Sequence, residues 1–362
     1  MTFVLHNLFF SLSHRDRVFM KQSLQWVWVS AMVALLSACA SAPSTKAPVV
    51  VGTAQPAEKA PATESGLTAT PPGKAQGEDA SAKTPAAEVP VVPAPPPAPV
   101  VKILPRIGLA LGGGAARGFA HVGVIQVLEE AGIRPVLVTG TSAGSLVAAL
   151  YASGKNGAQL QYIAETMEEA TIADWTLQVF TRGALRGEAL AKYVNAQVGQ
   201  KPIEAMHMPL GIVATDLNSG NDIVFQRGDT GTAVRASSAV PAVFQPVRIG
   251  NHEYVDGGLV SPVPVRAAKK MGAELIIAVD ISSPPEAASA SGTLEILLQT
   301  FTIMGKSIKS LELQGADVVI RPQLLGISSA DFGARKRSIE AGRKAMLAAL
   351  PQLRAAVEAK SR

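Results

Sequence analysis

The chain is poor in the residues that usually advertise a function. It holds one cysteine in 362 residues, so no intramolecular disulfide can close, and a disulfide-stapled secreted scaffold is excluded. Charged residues make up 17% and the formal net charge is +5. Residues 1–38 hold Arg15, Arg17, Lys21 and Asp16, for a net +2, and residues 39–102 balance five lysines against five acids. Only +3 remains for the rest, with no basic block, which argues against a nucleic-acid surface. Histidine is scarce, and beyond Cys39 there are only His121, His207 and His252. No cluster has metal-ligand spacing, so neither a metal nor another cofactor is expected. No uncharged apolar run reaches the roughly 20 residues of a spanning helix.

The apolar run that does occur, 24–38, follows Lys21 and ends in small residues, which is the pattern of a secretory signal peptide. Its end, Leu36-Ser37-Ala38-Cys39, resembles the bacterial lipobox, whose cysteine is lipidated. Residues 1–38 are therefore expected to be a signal peptide. Met20-Lys21 looks like a natural start, which would leave 1–19 as an upstream extension. Residues 39–102 are expected to be a lipidated Cys39 followed by a linker. Thirteen of the 25 prolines fall between Pro43 and Pro99, and no apolar periodicity is present to build a core. As a flexible coil this leash would span roughly 45 Å.

From about Pro105 the texture changes. Ile107–Leu111 reads as a buried strand, and Gly112-Gly113-Gly114-Ala115-Ala116-Arg117-Gly118 follows, then a helical pattern through Phe119, Val122, Ile125 and Leu128 that stops at Gly132. Strand, glycine loop and helix aim backbone N–H groups at an anion. A dinucleotide site lacks its acidic residue after the next strand, and a Walker loop lacks its Gly-Lys-Ser/Thr ending. An oxyanion hole for acyl transfer and a ligand-free tight turn both remain.

Gly140-Thr141-Ser142-Ala143-Gly144 fits G-x-S-x-G between a strand at 136–139 and an apolar helix pattern at 146–151. Ser142 is thus a candidate nucleophile, against the plainer reading of a serine cap on an ordinary helix. Two bases are available. Ser142, Asp216 and His252 follow the serine–acid–histidine order of the α/β-hydrolases, but His252 sits in what reads as a hairpin tip around Gly250-Asn251. His121 reads as packed on the first helix. Asp256-Gly257-Gly258 offers a carboxylate at a strand end, which must be partly desolvated to serve as a base; its plainer reading is a β-turn.

Glycine loop, G-x-S-x-G and Asp-Gly-Gly, in this order, resemble the patatin-like phospholipases, and the bacterial branch with a lipoprotein signal most of all. Ala214–Leu217, Ala236–Pro241 with Phe244-Gln245-Pro246, Tyr254–Gly258 and Ala278–Asp280 look like further family segments, so the resemblance covers roughly 105–350. It implies one domain over 103–362, an α/β fold with three α/β/α layers around a mainly parallel sheet. Short apolar runs at 107–111, 136–139, 210–214 and 275–280, separated by helical stretches, agree. It also implies Ser142 as nucleophile, Asp256 as base, and an oxyanion hole from the N–H groups of Gly113, Gly114 and Ala115, with Arg117 adding charge or shaping the loop. Gly112, Gly118, Gly140, Gly144, Gly257 and Gly258 complete the motifs. Many members carry glycine where this chain has Ala115, so a glycine-type angle there would distort the hole.

The apolar residues of 294–313 suggest a helix beside the site, read here as core packing in preference to lipid contact. The Lys/Arg-dotted stretch 335–360 reads as a solvated helix. The expected function is a membrane-anchored serine hydrolase of phospholipid or lysophospholipid acyl esters, facing the periplasm from the outer membrane through Cys39. A non-catalytic envelope protein with the same fold, and a His252-dependent esterase, are the alternatives.

Overall fold

In the computed structural model, residues 102–168, 183–282 and 292–362 are described, and all of them belong to the unit Pro93–Arg362. The proposed signal peptide, Cys39 and the Ala/Pro-rich linker lie outside the described residues.

Strand β1 (Ile107–Leu111) is buried along its whole length and occupies the middle of the sheet. On one side it pairs in parallel with β2 (Leu137–Thr141), which pairs in parallel with β4 (Leu210–Asp216). On the other side lie β9 (Leu275–Val279) and β10 (Val318–Ile320), also parallel. The chain thus winds outward from β1 in two directions, and the crevice beyond the strand C-termini at such a reversal is where open α/β sheets place ligands. Antiparallel strands finish the sheet: β5 (Asp222–Phe225) on β4, then β7 (Val247–Ile249) and β8 (His252–Asp256). Strands β3 (Gly183–Leu185) and β6 (Ala242–Phe244) form a separate two-stranded sheet.

Side-chain alternation sorts the core into two layers. Leu109, Leu111, Val138, Ile212 and Ile277 face α1 (Ala120–Glu130), α2 (Ala143–Ala152), α4 (Glu188–Gln197) and α8 (Arg335–Lys360). Ala110, Leu137, Ile276 and Ala278 face α6 (Val265–Lys270) and α7 (Thr293–Leu313). Helix α3 (Gly157–Thr166) begins with an Asn156/Gln159 capping box, and α5 (Thr230–Ser237) packs on β4 and β8. The three-layer α/β/α expectation holds.

Two helices differ from their sequence reading. The inner seam of α8 is deeply packed: Ile339, Met346 and Leu353 are buried, and a Cβ on Gly342 would overlap the Ala120 carbonyl of α1. Half-buried Arg335 and Arg343 join the inward contacts, bonding the carbonyls of Ala164, Glu165 and Met167 and the side chains of Gln126 and Glu130 of α1, while Lys336, Arg337 and Lys344 face solvent. Helix α7 departs in the opposite sense. Phe301 is half-buried, but Ile296, Leu297, Ile303 and Met304 point outward, so core packing accounts for only one of its sides.

Candidate active site

Strand β4 is the rail on which the site is assembled. Its pairing with β5 through 212–215 occupies one edge. Both β2 and β8 must therefore use the other edge, β2 along 210–213 and β8 along 214–216. Because β2 runs parallel to β4 and β8 antiparallel, the two C-termini meet end to end. Thr141 pairs with Val213 and Asp256 with Ala214, on consecutive rungs. Ser142 is the first residue after β2, so backbone register alone brings it to Asp256.

Ser142 has φ 53° and ψ −125°, a strained angle for a residue with a Cβ. The strain turns the chain sharply from β2 into α2 and projects the side chain from the corner. Ser142 N–H donates to Ser237 Oγ at 2.9 Å, and Ser237 Oγ donates to the Val213 carbonyl at 2.5 Å, tying the corner back to β4. The corner also needs its two glycines. A Cβ on Gly140 would overlap the Gly144 carbonyl, and one on Gly144 would overlap the Leu111 carbonyl of β1.

The Asp256 carboxyl lies beside the Ser142 side chain, near enough for the hydroxyl to favour its charged form, and its Oδ1 accepts Gly258 N–H at 2.7 Å. Asp256 is only 7% exposed. Burial pushes its pKa up to about 6, although the bonds from Gly258 and Ser142 pull it down. At neutral pH the group is ionised, and its basicity is well above that of an ordinary carboxylate. Gly257 fits where a Cβ would overlap the Val213 carbonyl, which lets the turn 257–259 lie against β4.

The glycine loop faces the same corner, since a Cβ on Gly113 would come within 3.2 Å of Ser142 Cβ and one on Gly118 within 2.8 Å of Ala143 Cβ. Its expected donors differ in state. Gly112 N–H is bonded to the Val279 carbonyl and Gly113 N–H to the Pro262 carbonyl, each at 3.0 Å. The N–H groups of Gly114 and Ala115 have no partner among the described residues, so the open donors are these two and not Gly113. Ala115 takes φ 49°, the glycine-type angle at which its Cβ is a liability. Arg117 shapes the loop: it is buried, its Nε donates to the Gly114 carbonyl at 3.3 Å, and burial lowers its pKa while nearby Asp280 opposes that.

The histidines lie elsewhere. His121 is fully buried under the loop, with Nε2 2.8 Å from the Gly112 carbonyl. Burial pushes its pKa down to about 4, so the ring is neutral and Nε2 carries the proton, which leaves Nδ1 without a partner. His207 binds the Ala152 carbonyl through its N–H, at the end of α2 remote from Ser142. His252 does pair with Asp216, Nδ1 to Oδ2 at 2.8 Å. That pair is at the wrong end of β8: four residues of strand, about 13 Å, separate His252 from Asp256. The Ser142–Asp216–His252 arrangement is therefore not assembled.

Residues 261–264 were not singled out by the sequence, yet they join all three motifs. Ser261 N–H bonds the Gly257 carbonyl, Pro262 carbonyl takes Gly113 N–H, and the Ser261 and Pro264 carbonyls take Thr141 Oγ1 and Thr139 Oγ1. Buried Glu312 of α7 holds this segment through Ser261 Oγ at 2.6 Å and Val263 N–H at 3.3 Å. Beside the turn 257–259 an apolar groove of about 300 Å³ runs between Leu217, Leu259 and Val260 and the α7 residues Phe301 and Met304. Neither Ser142 nor Asp256 lines it. Among the described residues no group of His, Cys, Asp and Glu could hold a metal.

Residues 109–269 match the family model described as patatin-like phospholipase. The chain carries a patatin-like domain. An uncharacterised NTE family protein of Mycobacterium tuberculosis is 37% identical over 179 residues, 49% of this chain and 49% of that one. Patatin-like phospholipase domain-containing protein 6 of Mus musculus is 33% identical over 188 residues, 50% of this chain and 14% of that one. Among solved structures, VipD from Legionella pneumophila matches with TM-score 0.48 and 15% identity over 71% of this chain and 67% of that one. The chain thus spans about half the length, or less, of these curated relatives. In the patatin-like domain the matched stretch contains the glycine loop, Ser142 and Asp256 together.

Proposed function

We propose that this protein is a serine hydrolase of lipid acyl esters, of phospholipase A or lysophospholipase type, working through Ser142 and Asp256. The observation that carries the reading is the buried, basic Asp256 carboxyl set by strand register beside a serine on a strained corner, opposite two open N–H groups. Asp256 takes the Ser142 hydroxyl proton as Oγ attacks the acyl carbonyl carbon. The resulting oxyanion lies against the N–H groups of Gly114 and Ala115, near the positive end of α2. Collapse breaks the ester C–O bond, and Asp256 returns the proton to the departing alcohol. Water then loses a proton to Asp256 and attacks the acyl-Ser142 carbonyl. The fatty acid leaves, and Ser142 regains its proton. The match to a family of lipid-acting name supports a lipid substrate, and the lipobox-like Cys39 supports tethering at a bacterial outer membrane, facing the periplasm.

The test is labelling by a fluorophosphonate probe together with hydrolysis of a short-chain ester. Labelling is expected to vanish in Ser142→Ala and persist in His252→Ala. A folded wild type that neither labels nor hydrolyses would refute the reading, and loss in His252→Ala would restore the histidine alternative.

A further inference from the structure

Helix α7 has two different sides. The inner side packs through half-buried Phe301, Gly305 and Ile308 and ends on buried Glu312 and Leu313. The outer side carries Ile296, Leu297, Ile303, Met304 and Leu311, which are 38% to 69% exposed. With exposed Thr300 and Ser307 between them, these positions follow the three- and four-residue spacing of one helical stripe. Scattered exposed hydrophobics are ordinary, but a contiguous set marks a contact surface. Five of the twelve large exposed hydrophobics among the described residues are on this stripe, and a sixth, Leu217, lies across the groove from Met304.

We propose that this side of α7 is a membrane-docking surface that rests on an anionic phospholipid bilayer and presents the catalytic turn to it. The proposal rests on the lipid-ester reading of Ser142. Three observations favour a bilayer over a protein partner. From Ile296 to Gly305 the helix has no charged residue, and Lys306, exposed and without a partner among the described residues, then supplies a cation at the edge of the stripe. An apolar face edged by a cation suits a helix lying in the interface of an anionic membrane. The helix borders the site itself: a Cβ on Gly305 would lie 3.8 Å from Pro262 Cγ and 4.0 Å from the Gly258 carbonyl. Finally, the leash from Cys39 would join the folded unit at Lys102, before the N-terminal end of β1, whereas Ser142 follows the C-terminal end of the adjacent parallel strand. A tether there would raise the concentration of protein near a bilayer without turning the site toward it, and a docking face beside the turn supplies that orientation. No helix among the described residues is long and apolar enough to cross a membrane, so α7 would lie along the surface.

Two measurements on the full chain test this. In the first, Ile296→Asp and Ile303→Asp are assayed on phosphatidylglycerol/phosphatidylcholine vesicles and on a soluble short-chain ester. Vesicle hydrolysis is expected to fall roughly tenfold or more, the scale of losing one large side chain's burial, with soluble-ester hydrolysis unchanged. Equal loss on both substrates, or on neither, overturns the proposal. In the second, Cys39→Ser removes the only cysteine, and an environment-sensitive fluorophore is placed on Ile303→Cys or, as a control on α8, Lys344→Cys. A blue shift on adding vesicles is expected at 303 and not at 344. No shift at 303, equal shifts at both, or a shift driven by protein concentration without vesicles overturns docking, the last in favour of a second copy. A wild type inactive on both substrates would instead sink the Ser142 reading, and the fluorophore would still decide the docking.

Discussion

Asp256→Asn keeps the shape of the side chain and removes its charge. The Asn carbonyl can still accept Gly258 N–H, so the turn should persist while the base is lost. General-base catalysis contributes about 10²- to 10⁴-fold, and kcat/KM should fall by that order. Stability should move the other way. The folded carboxyl holds its proton to about pH 6, whereas the unfolded one releases it near its ordinary value of 3.8. Between those values the unfolded state binds fewer protons, so wild-type stability falls as pH rises through the window and levels off above it. A difference of that size corresponds to about 3 kcal/mol at pH 7, an upper figure for the strain the ionised carboxylate imposes. Urea unfolding of both proteins at pH 4 to 8 isolates this group, because the other titrating groups cancel in the difference. The variant should match the wild type near pH 4 and exceed it increasingly toward pH 7. Wild-type log kcat/KM should rise with pH and level off above about 6. A stability gap independent of pH, or one that favours the wild type as pH rises, would refute the argument that Asp256 is held as a desolvated base.

Two further substitutions probe the loop and the tether. Ala115→Gly removes a Cβ from a left-handed angle and should stabilise the protein by about 1 kcal/mol in thermal unfolding with activity preserved; a less stable variant would show that the angle carries no strain. Cys39→Ala should abolish incorporation of labelled fatty acid in cells while the purified protein still hydrolyses a soluble ester, and unchanged incorporation would remove the lipoprotein reading.

Four of the five parallel strands of the main sheet were legible because they are continuous buried apolar runs, whereas the three-residue β10 (Val318–Ile320) was too short to stand out. The run at 107–111 coincides with β1, and those at 210–214 and 275–280 fall within a residue or two of β4 and β9. The second strand extends further than its apolar residues indicate, since Gly140 and Thr141 still pair with Ile212 and Val213. The motif glycine therefore belongs to the sheet as much as to the turn. The site residues were legible as motifs, but their meeting was not. It depends on β8 abutting β2 along β4, a tertiary register that no local pattern encodes. The roles of Ser237 and of 261–264 were hidden for the same reason: the Ser237 hydroxyl matters only because it bridges Ser142 N–H and the Val213 carbonyl, and 261–264 act largely through backbone carbonyls, which every residue possesses. For α7, an apolar count predicted burial, and only the packing of Gly305 and Glu312 reveals which half of the helix faces inward.

The end-to-end meeting of β2 and β8 has a consequence for how the proposed catalytic pair tolerates change. The separation of Ser142 and Asp256 is counted in whole rungs of one ladder, so it varies in steps and not continuously. Breathing of the outer helices cannot detune it by fractions of an ångström, because hydrogen-bonded rungs either hold or break. The tip at Gly250 can lengthen freely in descendants of this sequence, but one residue added between Val213 and Ala214 would part Ser142 from Asp256 by a full step of about 3.3 Å. Strand β4, which contributes neither member of the proposed pair, is thus the least editable stretch of the domain.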